Sequence, residues 1–180
     1  MSKPRILGGS AKGRVLETPR RGTRPSPSRL REALFDIVAF EPRGRFLDLF
    51  AGSGAVGLEA ASRGFDVVMV ELAKQAVGVI ERNARSLGLA AKVVRGDALE
   101  YASGHAGLFD VVFAAPPYPL DLEDIFLSVV TSGPAKPGGL YVLQHPTGFS
   151  PTLPDGFDPQ GLKSHRYGSN SLTVIRVNDA

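Results

Sequence analysis

RFLDLFAGSGAVG, residues 45–57, joins a short apolar run to a glycine-rich turn that leads into a segment of helical character. Gly52, Gly54 and Gly57 satisfy the G-x-G-x-x-G spacing in the context that gives it meaning, strand before and helix after. Glycines there let a ligand approach the backbone closely, which makes Phe50, Ala51, Gly52, Ser53 and Gly54 candidate cofactor-binding residues. Glu71 ends the next apolar run, 23 residues after Asp48, where a carboxylate can accept from both hydroxyls of a ribose. Leu72 beside it is a further candidate. Taken alone, the constellation fits a dinucleotide as well as any other adenosine cofactor, or a tight turn that binds nothing.

Outward from this stretch the pattern repeats. Apolar runs at RFLDLF, VVMVE, KVVRG, DVVFAA and GLYVLQ alternate with helical segments, among them 73–87 and 120–130. Strands alternating with helices predict an α/β fold, with right-handed crossovers and a mostly parallel sheet covered by helices on both faces. The last third is richer in Pro and Gly and closes with SLTVIRV, which suggests antiparallel strands at a sheet edge. Upstream, SPSRLREALFDIVAF reads as a helix with Ser26 as N-cap and Pro27 at its first position, its apolar face formed by Leu30, Ala33, Leu34, Ile37 and Val38.

Two acids move the cofactor reading away from a nicotinamide. Asp48 lies inside the strand before the glycine turn, where it can meet an amino-acid ammonium group but would repel a pyrophosphate. Asp97, in VVRGDALE, can accept from an adenine exocyclic amine, with the Ala98 amide available for a ring nitrogen. Together these suit S-adenosylmethionine, which carries an amino acid, a ribose and an adenine in that order. Asp97 also fits a plain helix N-cap, and the two roles can coexist.

The run DVVFAAPPYPLD, 110–121, ends at the carboxyl edge where parallel sheets place their ligands. Pro116 and Pro117 fix two φ angles and remove two donors, which leaves carbonyls in a rigid turn free to accept hydrogen bonds. Tyr118 then offers a flat face. Methylation of a planar exocyclic amine needs both features, since acceptors on the N–H groups localise a lone pair otherwise delocalised into the ring. Stacking on the tyrosine would hold the base, a contact worth about 1–3 kcal/mol in nucleic-acid complexes. The bland alternative is a proline-rich loop.

The chain has 180 residues, 43% of them hydrophobic and 22% charged, in the range of one domain. No apolar run approaches the length of a membrane span, and MSKPRILGG lacks the apolar core of a secretory signal, so a cytoplasmic protein with no membrane partner is expected. With no cysteine and three scattered histidines, no metal site is expected. The net charge of +3 hides an asymmetry: residues 1–31 hold nine Lys or Arg against the single acid Glu17. Residues 1–25 are therefore expected to form a small basic N-terminal extension, with ILGG and RVLE as a candidate hairpin, and 26–180 as the main domain. Such a segment is a candidate polyphosphate contact through counterion release, or else a solvated tail.

Over nearly its whole length the sequence resembles the RsmD-type methyltransferases, which modify the exocyclic N2 of a guanine in small-subunit (16S) ribosomal RNA. RILGGSAKGRVL, TRPSPSRLREALFD, LDLFAGSGAVGLEAASRG, VVRGDA, the Pro-Pro-Tyr turn and RYGSNSLTVIRV carry the likeness. The resemblance implies a Rossmann-like class I methyltransferase with a seven-stranded sheet, S-adenosylmethionine as cofactor, and ribosomal RNA or the small ribosomal subunit as partner. It makes Arg5, Lys12, Arg14, Arg24, Arg29 and Arg31 candidates for the RNA face, and the 115–118 turn the catalytic segment. One position departs from the family pattern of Asp or Asn, Pro, Pro, then Tyr or Phe: the first is Ala115. The side-chain acceptor for the target amine is missing, with the Pro116 carbonyl remaining and Asp121, Gln144 or His145 as candidate substitutes. A non-catalytic RNA-binding homologue and an N-methyltransferase acting on another planar amine are the alternative readings.

Overall fold

Burial along the first strand shows how the sheet is built. In β1 (Arg45–Leu49), Phe46 enters one buried apolar cluster, while Leu47 and Leu49 enter the other. Successive side chains of a strand point to opposite faces, so apolar residues at adjacent positions imply cover on both. The computed structural model describes residues 3–20, 26–117, 121–158 and 161–179. In it β1 pairs in parallel with β2 (Asp66–Glu71) on one side and with β4 (Phe109–Ala114) on the other. β3 (Ala91–Arg95) lies outside β2, and β5 (Ala135–Pro146) lies outside β4, both parallel.

The remaining two strands reverse direction. β7 (Asn170–Arg176) pairs antiparallel with β5, and β6 (Leu162–Tyr167) pairs antiparallel with β7, giving the order β3-β2-β1-β4-β5-β7-β6. The expected seven-stranded, mostly parallel sheet with an antiparallel edge is what forms. Helices α1 (Ser28–Ile37), α2 (Ala55–Ser62) and α3 (Lys74–Leu87) contribute to the cluster on one face; α4 (Ala98–Ser103) and α5 (Leu122–Ser132) cover the other. No helix among the described residues is long and apolar enough to cross a membrane.

Two local expectations need correction. Ser26 is not an N-cap: Pro27 takes the cap position with ψ 139°, no side chain caps the helix, and the Ser26 carbonyl instead accepts from Arg31 Nη1. The helix expected over 120–130 begins at Leu122, with the Asp121 side chain accepting from the Asp124 amide; Leu120 lies outside the described residues. Residues 3–20 are packed on the body through buried Ile6, Ala11 and Leu16. They curl into a tight turn with one antiparallel bridge, Arg5–Val15, where the hairpin was expected.

A buried carboxylate holds that segment down. Glu59 of α2 is fully buried and accepts hydrogen bonds from the Leu7 amide at 2.8 Å, the Gly8 amide at 3.0 Å and Arg63 Nε at 2.9 Å. Its desolvation is compensated because charged donors and amides converge on it. The only sequence signal was one acid inside the apolar run AVGLEAAS.

Candidate active site

The strand-end features named from the sequence that lie among the described residues fall along one edge of the sheet. Because β1, β2, β3 and β4 are parallel, the segments that follow them emerge together at the carboxyl edge, and the order of the strands reverses between β1 and β4. That reversal is where open α/β sheets bind their ligands.

The glycine turn starts with strain. Phe50 leaves β1 at φ +61°, the one positive value among described non-glycine residues, and Gly54 follows at φ +80°. A Cβ at Gly54 would come 2.7 Å from Ile80 Cγ1, and one at Gly57 only 2.3 Å from Met69 Cγ. Only glycine allows α2 to start this close to β2 and α3. Ala51 and Gly52 are half-buried and Ser53 is buried, its hydroxyl accepting from the Ala55 amide at 3.3 Å.

Glu71 ties two of these loops together. One carboxylate oxygen accepts from the Gly52 amide at 2.8 Å and the other from the Ala73 amide at 2.8 Å. A carboxylate has about four lone-pair sites, so both oxygens keep acceptor capacity for a ligand. Leu72, next in the chain, is 68% exposed, an apolar surface beside that carboxylate.

Asp48 lies beneath the turn, 2% exposed, and accepts from the Gly57 amide at 3.0 Å, a donor in the first turn of α2. Burial pushes its carboxyl up to about 8, repulsion from Glu71 adds to this, and the Gly57 hydrogen bond opposes it. Asp97 is exposed and caps α4 by accepting from the Glu100 amide at 2.9 Å, so its N-cap role is real. Ala98, buried, opens α4, where an amide has no helical partner.

On the other side of β1, Ala115 is half-buried, Pro116 buried and Pro117 exposed. Tyr118 and Arg24 lie outside the described residues. Of the proposed substitutes for the missing acceptor, Asp121 caps α5 by accepting from the Asp124 amide at 3.2 Å. His145 is 1% exposed, with Nδ1 2.9 Å from the Pro146 carbonyl and Nε2 2.6 Å from the Thr173 hydroxyl. A carbonyl only accepts, so Nδ1 carries the proton and Nε2 is occupied by the threonine. Burial also holds its basicity below the ordinary value for histidine.

Among the candidate RNA contacts, Arg5, Lys12, Arg14 and Arg29 are exposed. Arg5 Nη1 donates to the Gly13 carbonyl at 3.0 Å, and Arg14 Nη2 to the Ser86 carbonyl at 3.2 Å. Arg31 is a correction. It is 1% exposed, with Nη1 on the Ser26 carbonyl at 3.0 Å and Nη2 on the Arg5 carbonyl at 2.7 Å. Its Nε lies 3.8 Å from Glu59, an ionic contact too long for a hydrogen bond. Burial pulls the guanidinium down from the ordinary arginine range. A side chain spent on internal carbonyls cannot contact RNA.

Comparison with known proteins agrees with this architecture. A family model described as conserved hypothetical protein 95 matches residues 4–176. Ribosomal RNA small subunit methyltransferase D of Escherichia coli K12 is 36% identical over 118 residues, 63% of this chain; the match spans 60% of that protein, less than two thirds of its length. A hypothetical protein of Thermus thermophilus superposes with TM-score 0.84 at 46% identity, over 97% of this chain and 99% of that one. The 16S rRNA N2 methyltransferase RsmC of Thermus thermophilus, solved in complex with AdoMet and guanosine, has TM-score 0.72 at 22% identity over 98% of this chain and 50% of that one, a likeness of fold. With a Rossmann-like class I methyltransferase fold and a family match from residue 4 to residue 176, the chain belongs to the conserved hypothetical protein 95 family, the RsmD family.

Proposed function

We propose that the chain transfers a methyl group from S-adenosylmethionine to the exocyclic N2 of a guanine in small-subunit ribosomal RNA, in the cytoplasm. The observation that carries this reading is the strand order. β1 stands between β2, whose end holds Glu71, and β4, whose end runs into Ala115, Pro116 and Pro117. An amino acid, ribose and adenine laid along the edge would meet Asp48, then Glu71 with Leu72, then Asp97 with the Ala98 amide. The opposite end of such a ligand faces the proline turn.

S-adenosylmethionine, when bound, supplies a methyl group on a positively charged sulfur. The residues of this chain do the rest. Asp48 receives the ammonium group, Glu71 the ribose hydroxyls, and Asp97 the adenine amine while still capping α4. The Pro116 carbonyl accepts from the target amine, and Tyr118, next in the chain after Pro117, is assigned to stack on the base. A guanine amine inside a stacked helix could not reach this edge, so the target must be unpaired or flipped out. Lys12, Arg14 and Arg29 are assigned to phosphates.

Incubating the protein with tritiated donor and either unmodified small-subunit RNA or the assembled particle, then mapping the label, tests this directly. Label on guanine N2 supports it; label on adenine N6, or on protein alone, refutes the choice of acceptor. Ala115 favours a second reading, an RNA-binding homologue that has lost transfer. In that case the parent protein is silent and Ala115→Asp gains activity.

A further inference from the structure

On one side the sheet rises past its carboxyl edge. β4 makes its last pair at Ala114, opposite Leu143, while β5 runs on through Gln144, His145 and Pro146. These three pair with β7, where Pro146 stands opposite Asn170, and Asn170 in turn pairs with Tyr167 at the end of β6. At a rise of about 3.3 Å per residue, the β6–β7 turn stands about 10 Å beyond the last pair of β4. Strands about 4.8 Å apart put β7 about 10 Å and β6 about 14 Å to the side of β4. The turn is a wall beside Ala115, Pro116 and Pro117, on the side away from the loops that follow β1, β2 and β3.

The wall is braced from β5. The Thr147 amide donates to the Ser169 carbonyl at 2.9 Å, and the Thr147 hydroxyl donates to the Gly168 carbonyl at 2.9 Å. Arg166 is exposed, and its Nε donates to the Gly168 carbonyl at 3.4 Å, which leaves both Nη groups without an acceptor among the described residues. Tyr167 points to the opposite face and is half-buried against the apolar cluster that α1 covers. α1 begins over this end of the sheet: Ser26 and Leu30 line a crevice with Gln144 and Leu172, and exposed Arg29 lies in the same turn of chain. The crevice admits no water, which closes Gln144 Oε1 off from any ligand. Neither Arg29 nor Arg166 has an acidic partner among the described residues.

We infer that the β6–β7 turn holds the nucleotide next to the target, with Tyr167 stacking on its base and Arg166 pairing with its phosphate. The inference rests on the RNA methyltransferase reading above. Unneutralised cations beside a half-exposed aromatic ring suit a polyanion whose units carry flat bases. A lateral offset of about 10–14 Å from β4 fits a neighbouring nucleotide rather than the target itself. Lifting the target out of its stack leaves that neighbour with one face bare, and a ring fixed beside the edge covers it. Because Thr147 already holds the turn in shape, little ordering is lost when RNA binds.

Binding of unmodified small-subunit RNA across a salt series, read apart from transfer, tests this. Arg166→Ala should weaken binding by about 5-fold at about 0.1 M salt and make the plot of log affinity against log salt shallower by about 0.7, the share of one single-stranded phosphate. Arg166→Lys should keep the parental slope. Tyr167→Leu keeps an apolar contact but removes the stack, so RNA affinity should fall by about 5- to 150-fold while affinity for S-adenosylmethionine holds. Tyr167→Phe should bind RNA as the parent does. In transfer assays both losses should appear in KM for RNA, with kcat kept. Lys92→Ala, exposed on β3 at the far edge of the sheet, should change none of these. A parental slope in Arg166→Ala, parental RNA affinity in Tyr167→Leu, or an equal slope change in Lys92→Ala overturns the inference, and a parent that labels RNA leaves the methyltransferase reading standing. A parent that binds RNA but labels none refutes that reading, while the same variants still decide whether the turn holds RNA. A parent that neither binds nor labels RNA sinks both.

Discussion

The Gly52 amide donates to the Glu71 carboxylate at 2.8 Å, fastening the glycine turn after β1 to the end of β2. The other carboxylate oxygen holds the Ala73 amide. The carboxylate proposed for a ligand therefore also fixes the shape of the glycine turn. Glu71→Gln keeps the size but turns one acceptor into a donor that confronts an amide. Donor affinity should fall by about 10- to 150-fold, the equivalent of about 1.5–3 kcal/mol for a hydrogen bond to a charged group. Titration calorimetry with S-adenosylmethionine reads it, and unchanged affinity would remove Glu71 from the site.

Asp48 makes the donor-free protein sensitive to pH. Its ordinary value is 3.8 and its folded value about 8, so across that window the folded state binds the proton more tightly than the unfolded chain does. Stability from this group is complete below about 4 and is lost as pH rises toward 8. Melting curves from pH 5 to 8 should fall more steeply for the parent than for Asp48→Asn. An ammonium group arriving beside Asp48 favours its charged form, so about one proton should be released per donor bound at pH 7. Calorimetry in buffers of different ionisation heat measures that release; none would place the ammonium elsewhere.

Glu59 predicts a different failure. Glu59→Ala leaves Arg31 buried without its ionic partner and strips the Leu7 and Gly8 amides of their acceptor. Breaking a buried pair in this way costs about 3–5 kcal/mol. Urea unfolding should register it, and hydrogen exchange should rise first at the Leu7 and Gly8 amides. Wild-type protection there would contradict the anchoring role.

The exposed basic residues should act through phosphates. Lys12→Ala combined with Arg29→Ala should weaken RNA binding similarly for all sequences and make the plot of log affinity against log salt shallower, by about 0.7–0.9 for each phosphate left without its cation. Arg31→Ala should instead destabilise the fold, since its charge is held by internal carbonyls and Glu59. An Arg31→Ala protein of parental stability with a reduced salt slope would reverse that assignment.

The linear chain carried the parts of this protein whose meaning is local. Apolar runs alternating with helical segments specify a parallel sheet, and a glycine turn between strand and helix specifies a ligand edge. An acid at a strand end can be read in place because the strand fixes its direction. The placement of Asp48, Glu71 and Asp97 in or just after their strands was legible for that reason, as was the antiparallel close at SLTVIRV. Tertiary structure decided whatever depends on which strands and helices become neighbours. Arg31 reads as one of a run of basic residues, yet α1 lays it against Glu59 and the Arg5 carbonyl, and burial takes it from the RNA face. Leu143 stands 29 positions from Ala114, and register alone puts them side by side. Sequence spacing sets the face and direction of a side chain, but pairing across strands and packing across layers set its partners.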